Sequence, residues 1–344
     1  MNSSFTPVQF VKMVPGGNPT ILVHGTLPGA AQWPRLAARL LHPMHIQAEQ
    51  AGAVQLPSGG GLAHLHMMGG EFCVNATRAA AFWLARQGIF MPCGPRAVLG
   101  SMTVSGAIAP VTVVVACTVA ELCTIMQQYE AGELPCQPGQ QAAAGGTTAG
   151  GAGATASPVF NPVAQPQFGV QGAAAARLTL HEADWRMEPL GEGAIVVHLP
   201  GISHVLLDAA VHAVPEVPAR HTAGWRKRAG LEHCAASGVI WYMPHEKGHA
   251  IVPVVYVRDT ATEHAETACG SGSLALGLVL QHLGAGQQGA AMAIAQPSGE
   301  ALIVQLFDAA QEEAGIGVDV SGSCCHAYVA GSVQLVAEGM AYCG

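Results

Sequence analysis

Gly70-Glu71-Phe72-Cys73-Val74-Asn75-Ala76-Thr77 places a cysteine directly ahead of an Ala/Arg/Leu-rich run. From Val74 to Gln87 apolar residues recur at helical spacing and Gly88 supplies the stop, so the Cys73 thiol is expected at a helix N-terminus. A second stretch, Thr267-Ala268-Cys269-Gly270-Ser271-Gly272-Ser273, repeats the arrangement. There the glycine-rich loop leads into an apolar helical pattern from Ser273 to Leu283 that ends at Gly284. A helix start presents unpaired backbone N–H groups and about half a positive charge, which favours a thiolate and also attracts a carboxylate. Taken singly, any of the ten cysteines reads as buried filler. Two at matched loop-to-helix junctions read as a pair.

The chain around them has 344 residues, 50% of them hydrophobic and 10% charged, enough for two well-buried globular units. Its formal charge of -8, with 14 scattered basic residues, argues against a nucleic-acid or anionic-membrane surface and for a small-molecule partner. Met1–Pro7 has neither the basic nor the apolar region of a signal peptide, and no apolar run is long enough to span a bilayer, so the expectation is a cytoplasmic protein with reduced thiols. The cysteines show no zinc-ribbon spacing: Cys117 and Cys123 lack a second pair, and Cys324-Cys325-His326 would alternate faces on a strand. The sixteen histidines are scattered, so no metal site is expected.

In chain order, Phe10–Met13 and Thr20–His24 read as strands around a Pro15–Pro19 turn that carries Asn18. Asn18 by itself is ordinary turn chemistry, and Glu49 and Gln50 by themselves could cover a solvated edge. An amphipathic helix is expected over 32–41, a strand at His64–Met68, and further strands between Val98 and Ala116. Residues 138–176, dominated by Ala, Gly, Thr, Pro and Gln, read as a flexible insertion with nothing to pack. Strand patterning resumes at 177–180, 194–199, 239–243, 251–257, 301–306 and 317–322, with a closing strand at 328–333. Strands followed by a cysteine-headed helix thus occur twice, which implies a duplicated α+β architecture with the site between its halves.

Two helix starts aimed into one cleft would hold a carboxylate between them, with one sulfur on each side of the bound molecule. A thiolate on one face could remove the α-proton of an amino acid while a thiol on the other returns one. Pyridoxal-phosphate chemistry has little support, because the three lysines, Lys12, Lys227 and Lys247, sit in no telling context. No cofactor is expected.

Four segments carry a family resemblance: Pro15-x-Gly17-Asn18-x-Thr20-Ile21-Leu22-Val23-His24, Glu49-Gln50-Ala51-Gly52, Gly70-Glu71-Phe72-Cys73-x-Asn75-Ala76-Thr77 and Cys269-Gly270-Ser271-Gly272. The chain resembles the diaminopimelate epimerase-like superfamily of cofactor-independent racemases, and within it the histidine racemases of staphylopine-type metallophore pathways. The resemblance implies two pseudo-symmetric α+β halves, each a sheet wrapped around a central helix, with the active site in the cleft between them. The first half would be 1–137 completed by 331–344, and the second 177–330. It implies Cys73 and Cys269 as the catalytic acid/base pair, with Asn18, Gln50, Asn75, Gly270 and Ser271 lining the substrate site and Glu49 recognising an imidazole. Val74 belongs to the same site but stands where the family commonly has glycine, narrowing the backbone approach beside Cys73. The stretch Arg258–Glu266 lacks the Glu-Arg pair of the diaminopimelate enzymes, which ranks histidine ahead of diaminopimelate. Other racemases of the fold and a non-catalytic amino-acid binder remain as alternatives. A homodimer is compatible with all of these.

Overall fold

The computed structural model describes residues 6–27, 29, 31–57, 61–134, 166–258, 261–308 and 324–343. The first part of the chain forms β1 (Thr6–Pro15), β2 (Thr20–His24), α1 (Trp33–Leu41), β3 (Gln50–Gln55), β4 (Ala63–Met67), α2 (Val74–Arg86), β5 (Met91–Gly94), β6 (Ala97–Val104), β7 (Val111–Ala116) and α3 (Val119–Glu130). After residue 165 come β8 (Gln171–His181), β9 (Arg186–Gly191), β10 (Ala194–Leu199), β11 (Ile202–Asp208), α4 (Thr222–Arg228), β12 (Ala236–His245) and β13 (Gly248–Val257). The chain ends with β14 (Thr262–Ala265), α5 (Gly270–His282), β15 (Met292–Ala295), β16 (Ala301–Asp308) and β17 (Cys324–Cys343). The result is a strand-rich, barrel-like α+β fold with few helices.

Strand pairing closes a ring in the order β1, β2, β3, β4, β6, β7, β8, β17 and back to β1. Closure leaves no open sheet edge within that ring. Helix α2 lies inside it, packed on β1, β2, β7, β8 and β17 and buried from Val74 through Ala85. A helix that is small and apolar on nearly every side can be buried on every side, and Ala79-Ala80-Ala81 lets strands approach closely. Buried polar residues break the pattern at Asn75, Thr77 and Arg78. Arg78, fully buried, donates to Ala174 O and Ser332 O, each at 2.9 Å, tying the helix to β8 and β17.

A second run of pairings, β9-β10-β11-β12-β13-β15-β16-β17, curves around α5, which packs on β11, β12, β13, β16 and β17. Its Leu274-Ala275-Leu276-Gly277-Leu278-Val279-Leu280 segment is buried throughout. Strand β17 is common to both arrangements: it pairs with β16 and β8 in its first part and with β1 from Val333 onward. The expected closing strand at 328–333 is therefore the middle of a 20-residue element.

The expected insertion at 138–176 reaches too far. Residues 135–165 lie outside the described region, but Gln171–Ala176 are part of β8, between β7 and β17. Alanine is a poor strand former, and no period-two contrast marks the stretch because both faces are buried. Ala174 and Ala176 face the α2 side, while Ala173 and Ala175 join the cluster under α3. Small residues are required here: a Cβ on Gly172 would collide with the Phe82 ring. The sheet expected at 317–322 also lies outside the described residues.

His326, from the Cys324-Cys325-His326 stretch, enters a polar cluster. Glu130, at the end of α3, accepts from Arg177 Nε (2.7 Å) and Tyr328 Oη (2.6 Å), and its other oxygen lies 2.6 Å from His326 Nδ1. Among the described residues no three His, Cys, Asp or Glu side chains are grouped to hold a metal, and no helix is long and apolar enough to cross a membrane.

Burial opposes ionisation of Glu130, but these partners outweigh it and hold the carboxyl down at about 2. A depressed carboxylate contributes stability that is present above its ordinary range and lost as pH falls through the folded value. Glu130→Gln should cost about 3 kcal/mol at pH 7, as expected for breaking a buried ion pair. In urea titrations the gap between variant and parent should narrow as pH is lowered from 5 towards 2. An equal gap at every pH would contradict the assignment.

Candidate active site

Both cysteines serve as helix N-caps. Cys73 and Cys269 have extended backbones, at φ -124°, ψ 112° and φ -126°, ψ 105°, and head helices of 13 residues each. In α2 the Ala76 N–H donates to Cys73 Sγ at 3.4 Å, and Thr77 Oγ1 donates to Cys73 O at 2.7 Å. In α5 the Gly272 N–H donates to Cys269 Sγ at 3.3 Å, and Ser273 Oγ donates to Cys269 O at 2.7 Å. The two caps repeat one design, with a sulfur in place of the usual hydroxyl or carboxylate.

The helix starts converge on a cleft lined by Glu49, Gln50, Glu71, Cys73, Val74, Asn75, Glu266, Cys269, Gly270 and Ser271, among others. Of the site residues expected from sequence, only Asn18 does not line it directly. Asn18 sits one step behind, 1% exposed, donating to Glu49 Oε2 at 2.5 Å. Its amide oxygen accepts from Gln50 Nε2, which also reaches Thr20 Oγ1 at 2.8 Å. Gln50 is thereby oriented so that its Oε1 accepts from Cys73 Sγ at 2.7 Å.

Contacts across the cleft bind the helix starts to each other. Asn75 Nδ2 donates to Ala268 O at 2.9 Å, and Asn18 Nδ2 approaches the same oxygen at 3.4 Å. Glu49 accepts from Thr267, at 2.7 Å from Oγ1 and 3.2 Å from the backbone N–H. Glu49 therefore braces the loop before Cys269 as well as facing the cleft. Val74, 2% exposed, packs where a side chain on Gly270 would go: a Cβ there would lie 2.8 Å from Val74 Cβ and 2.9 Å from Cγ1.

The electrostatics are dominated by burial and by acids. Burial pushes the Cys73 thiol up to about 12, and the nearby Glu266 and Glu71 push the same way, against the Ala76 and Asn75 amides. Cys269 is raised well above the usual thiol range by burial and by Glu266, against Ser271 and the Gly272 amide. Enclosure raises Glu266 to about 7, with Glu49 adding to the shift and a hydrogen bond from Cys269 opposing it. Burial also raises Glu49 and Glu71. Both sulfurs line the cleft, where each can hold or release a proton, and the acids suit positively charged or N–H-bearing groups.

Sequence reading missed two residues. Glu266 lies in the quoted Arg258–Glu266 stretch, three positions before Cys269, and that short spacing was the available signal. His204 is fully buried on β11, with Nε2 2.9 Å from Ser271 Oγ. Nothing local marks it, because strand register brings it to α5 from 67 positions away.

The family model described as the histidine racemase CntK N-terminal domain matches residues 7–136 and 165–342. A histidine racemase from Fusobacterium nucleatum is 36% identical over 85 residues, 25% of this chain and 30% of the relative. One from Staphylococcus aureus is 39% identical over 72 residues, 20% of this chain and 26% of the relative. The chain spans under a third of the length of these curated relatives. A hydroxyproline epimerase structure from Agrobacterium vitis, with bound trans-4-hydroxy-L-proline, superposes with a TM-score of 0.57 at 10% identity, covering 98% of this chain and 92% of that one. A predicted epimerase from Pseudomonas aeruginosa gives 0.54 at 12% identity, covering 96% and 98%. At such identities the structures share the fold.

The Val74–Gly270 contact yields a direct test. Gly270→Ala should destabilise the protein by about 1–3 kcal/mol, the usual cost of overpacking. Val74→Gly in the same chain should recover part of that loss, because it reopens the occupied space. Equal stabilities by chemical denaturation for Gly270→Ala and parent would show that the helix starts are not in contact.

Proposed function

The chain belongs to the histidine racemase family, and we propose that it inverts the α-carbon of histidine without a cofactor, using Cys73 and Cys269 as a thiolate/thiol pair. One observation carries this reading: two N-capping thiols head two helices whose first turns line the same cleft. With the substrate carboxylate on the first-turn amides, the α-carbon would lie between the sulfurs. The thiolate removes the α-proton from one face, and the opposite thiol delivers its own proton to the other. Each such group is worth about 10²–10⁴-fold.

The amides assist a second time. Loss of the α-proton drives negative charge onto the substrate carboxylate, and donors already aimed at it stabilise that charge without reorganising. The substrate α-ammonium also offsets the acids that, together with burial, raise both thiols. Glu49, kept in place by Asn18 and Thr267, is the residue we assign to the imidazole N–H. The two cysteine-headed helices, each enclosed by strands, support the reading of two pseudo-symmetric halves that meet at the cleft. We assign the D-histidine product to metallophore synthesis, a reading supported by the resemblance to staphylopine-type enzymes.

Cys73→Ala and Cys269→Ala should each lower racemisation of L-histidine by at least about 10³-fold, within the range for losing a positioned acid or base. Both should remain folded by circular dichroism, since losing a cap costs about 1 kcal/mol. Chiral chromatography after incubation reads the outcome. Substantial D-histidine from either variant would remove the two-thiol mechanism, and an inert parent protein would remove histidine as substrate.

A further inference from the structure

We propose that Glu266 and the His204–Ser271 pair are positioning residues that hold Cys269 in its two working states, Glu266 accepting from the thiol and Ser271 donating to the thiolate. This inference rests on the two-thiol reading of the cleft. A two-base racemase needs each sulfur to be stable both with and without its proton, because the thiols exchange states at every turnover.

Cys269 has a partner for each state. As a thiol it can donate to the Glu266 carboxylate, which lines the same cleft. As a thiolate it needs a donor besides the Gly272 N–H, and Ser271 Oγ lies 3.6 Å from the sulfur. A serine hydroxyl has a single proton, so something must direct it to sulfur. His204 can do so. Its Nε2 is 2.9 Å from Ser271 Oγ, while Nδ1 has no partner among the described residues.

Burial holds the His204 ring down at about 3, so it is neutral in the working range and has one N–H to place. A proton on Nδ1 would be a buried donor with nothing to accept it, whereas a proton on Nε2 is used at Ser271. With Nε2–H donating to Oγ, the serine proton is free to point at Cys269. The strands are also shaped around this ring. Gly238 of β12 is the register partner of His204, and a Cβ there would collide with the imidazole.

Cys73 lacks this pairing. Its side-chain partner is the Gln50 amide oxygen, a neutral acceptor that orients the thiol. The other titratable groups that share the cleft with Glu266 are Glu49, Glu71, Cys73 and His264, and none is hydrogen-bonded to the Cys269 sulfur.

The proton balance is simple. When the Cys269 thiolate takes the α-proton, the new S–H donates to Glu266. In the reverse direction S–H transfers its proton to the carbanionic α-carbon, and the resulting thiolate keeps the Ser271 hydrogen bond. One proton moves and no electron changes hands.

The test needs no substrate. The rate at which iodoacetamide alkylates Cys269 at pH 8.5, read at the peptide level by mass spectrometry, follows its thiolate fraction. Glu266→Gln should be alkylated about tenfold faster than the parent, matching a shift of about one pKa unit. Ser271→Ala and His204→Asn should be alkylated at least about threefold slower. Loosening of the structure would accelerate all three variants, so the opposite signs separate positioning from mere support. Should His204→Asn fail to fold, Ser271→Ala alone decides that arm. The inference is overturned if Glu266→Gln is not faster or if Ser271→Ala is not slower. Should the parent fail to racemise any amino acid while the alkylation rates diverge as stated, the racemase reading falls and the assignment of Cys269's partners stands.

Discussion

The contact between the first turns of α2 and α5 is the constraint on which the rest of the structure depends. Val74 sits against Gly270, Asn75 reaches over to Ala268 O, and Asn18 reaches the same oxygen from behind. Each helix can be brought to that point only if it is enclosed, because neither has a polar face to turn towards water. Ring closure through β17 and β8 supplies the enclosure for α2, and the continuation of β17 into β16 does so for α5. Arg78 then fixes the axial position of α2 by gripping carbonyls on β8 and β17.

The cleft works against its own thiols. Helix N-termini favour a thiolate, yet burial first, and then the carboxylates of Glu266 and Glu71, favour the thiol and prevail. Under the proposed function this is an arrangement that a substrate completes. A molecule carrying one carboxylate for the amides and two nitrogen-bearing groups for the acids changes the local charge at the moment that a thiolate is needed. An amino acid with an imidazole side chain has that distribution.

Much of the site was legible because its key residues announce helix starts. Cys73 and Cys269 precede apolar periodic runs, and both helices begin at the following residue, so Gly270-Ser271-Gly272 is the first turn of α5 rather than a loop before it. Glycine weakens a helix interior, which disguised that boundary. Ala173–Ala176 were read as part of an insertion because burial on both faces removes the alternation that marks a strand, and only the packing of Phe82 and α3 explains their size. Glu266 and His204 escaped for different reasons. Glu266 is enclosed only by the folded cleft, which local sequence does not mark, and His204 meets Ser271 only through the register of β11 on β12.

The most direct measurement of the central claim is the isotope content of each enantiomer early in a reaction of L-histidine with the protein in D2O. If opposed sulfurs handle the two faces, the D-histidine formed first carries solvent deuterium at the α-carbon while recovered L-histidine remains protiated. Equal deuteration of both enantiomers from the outset would mean that one group serves both faces. D-histidine that retained the original proton would contradict the two-thiol account outright.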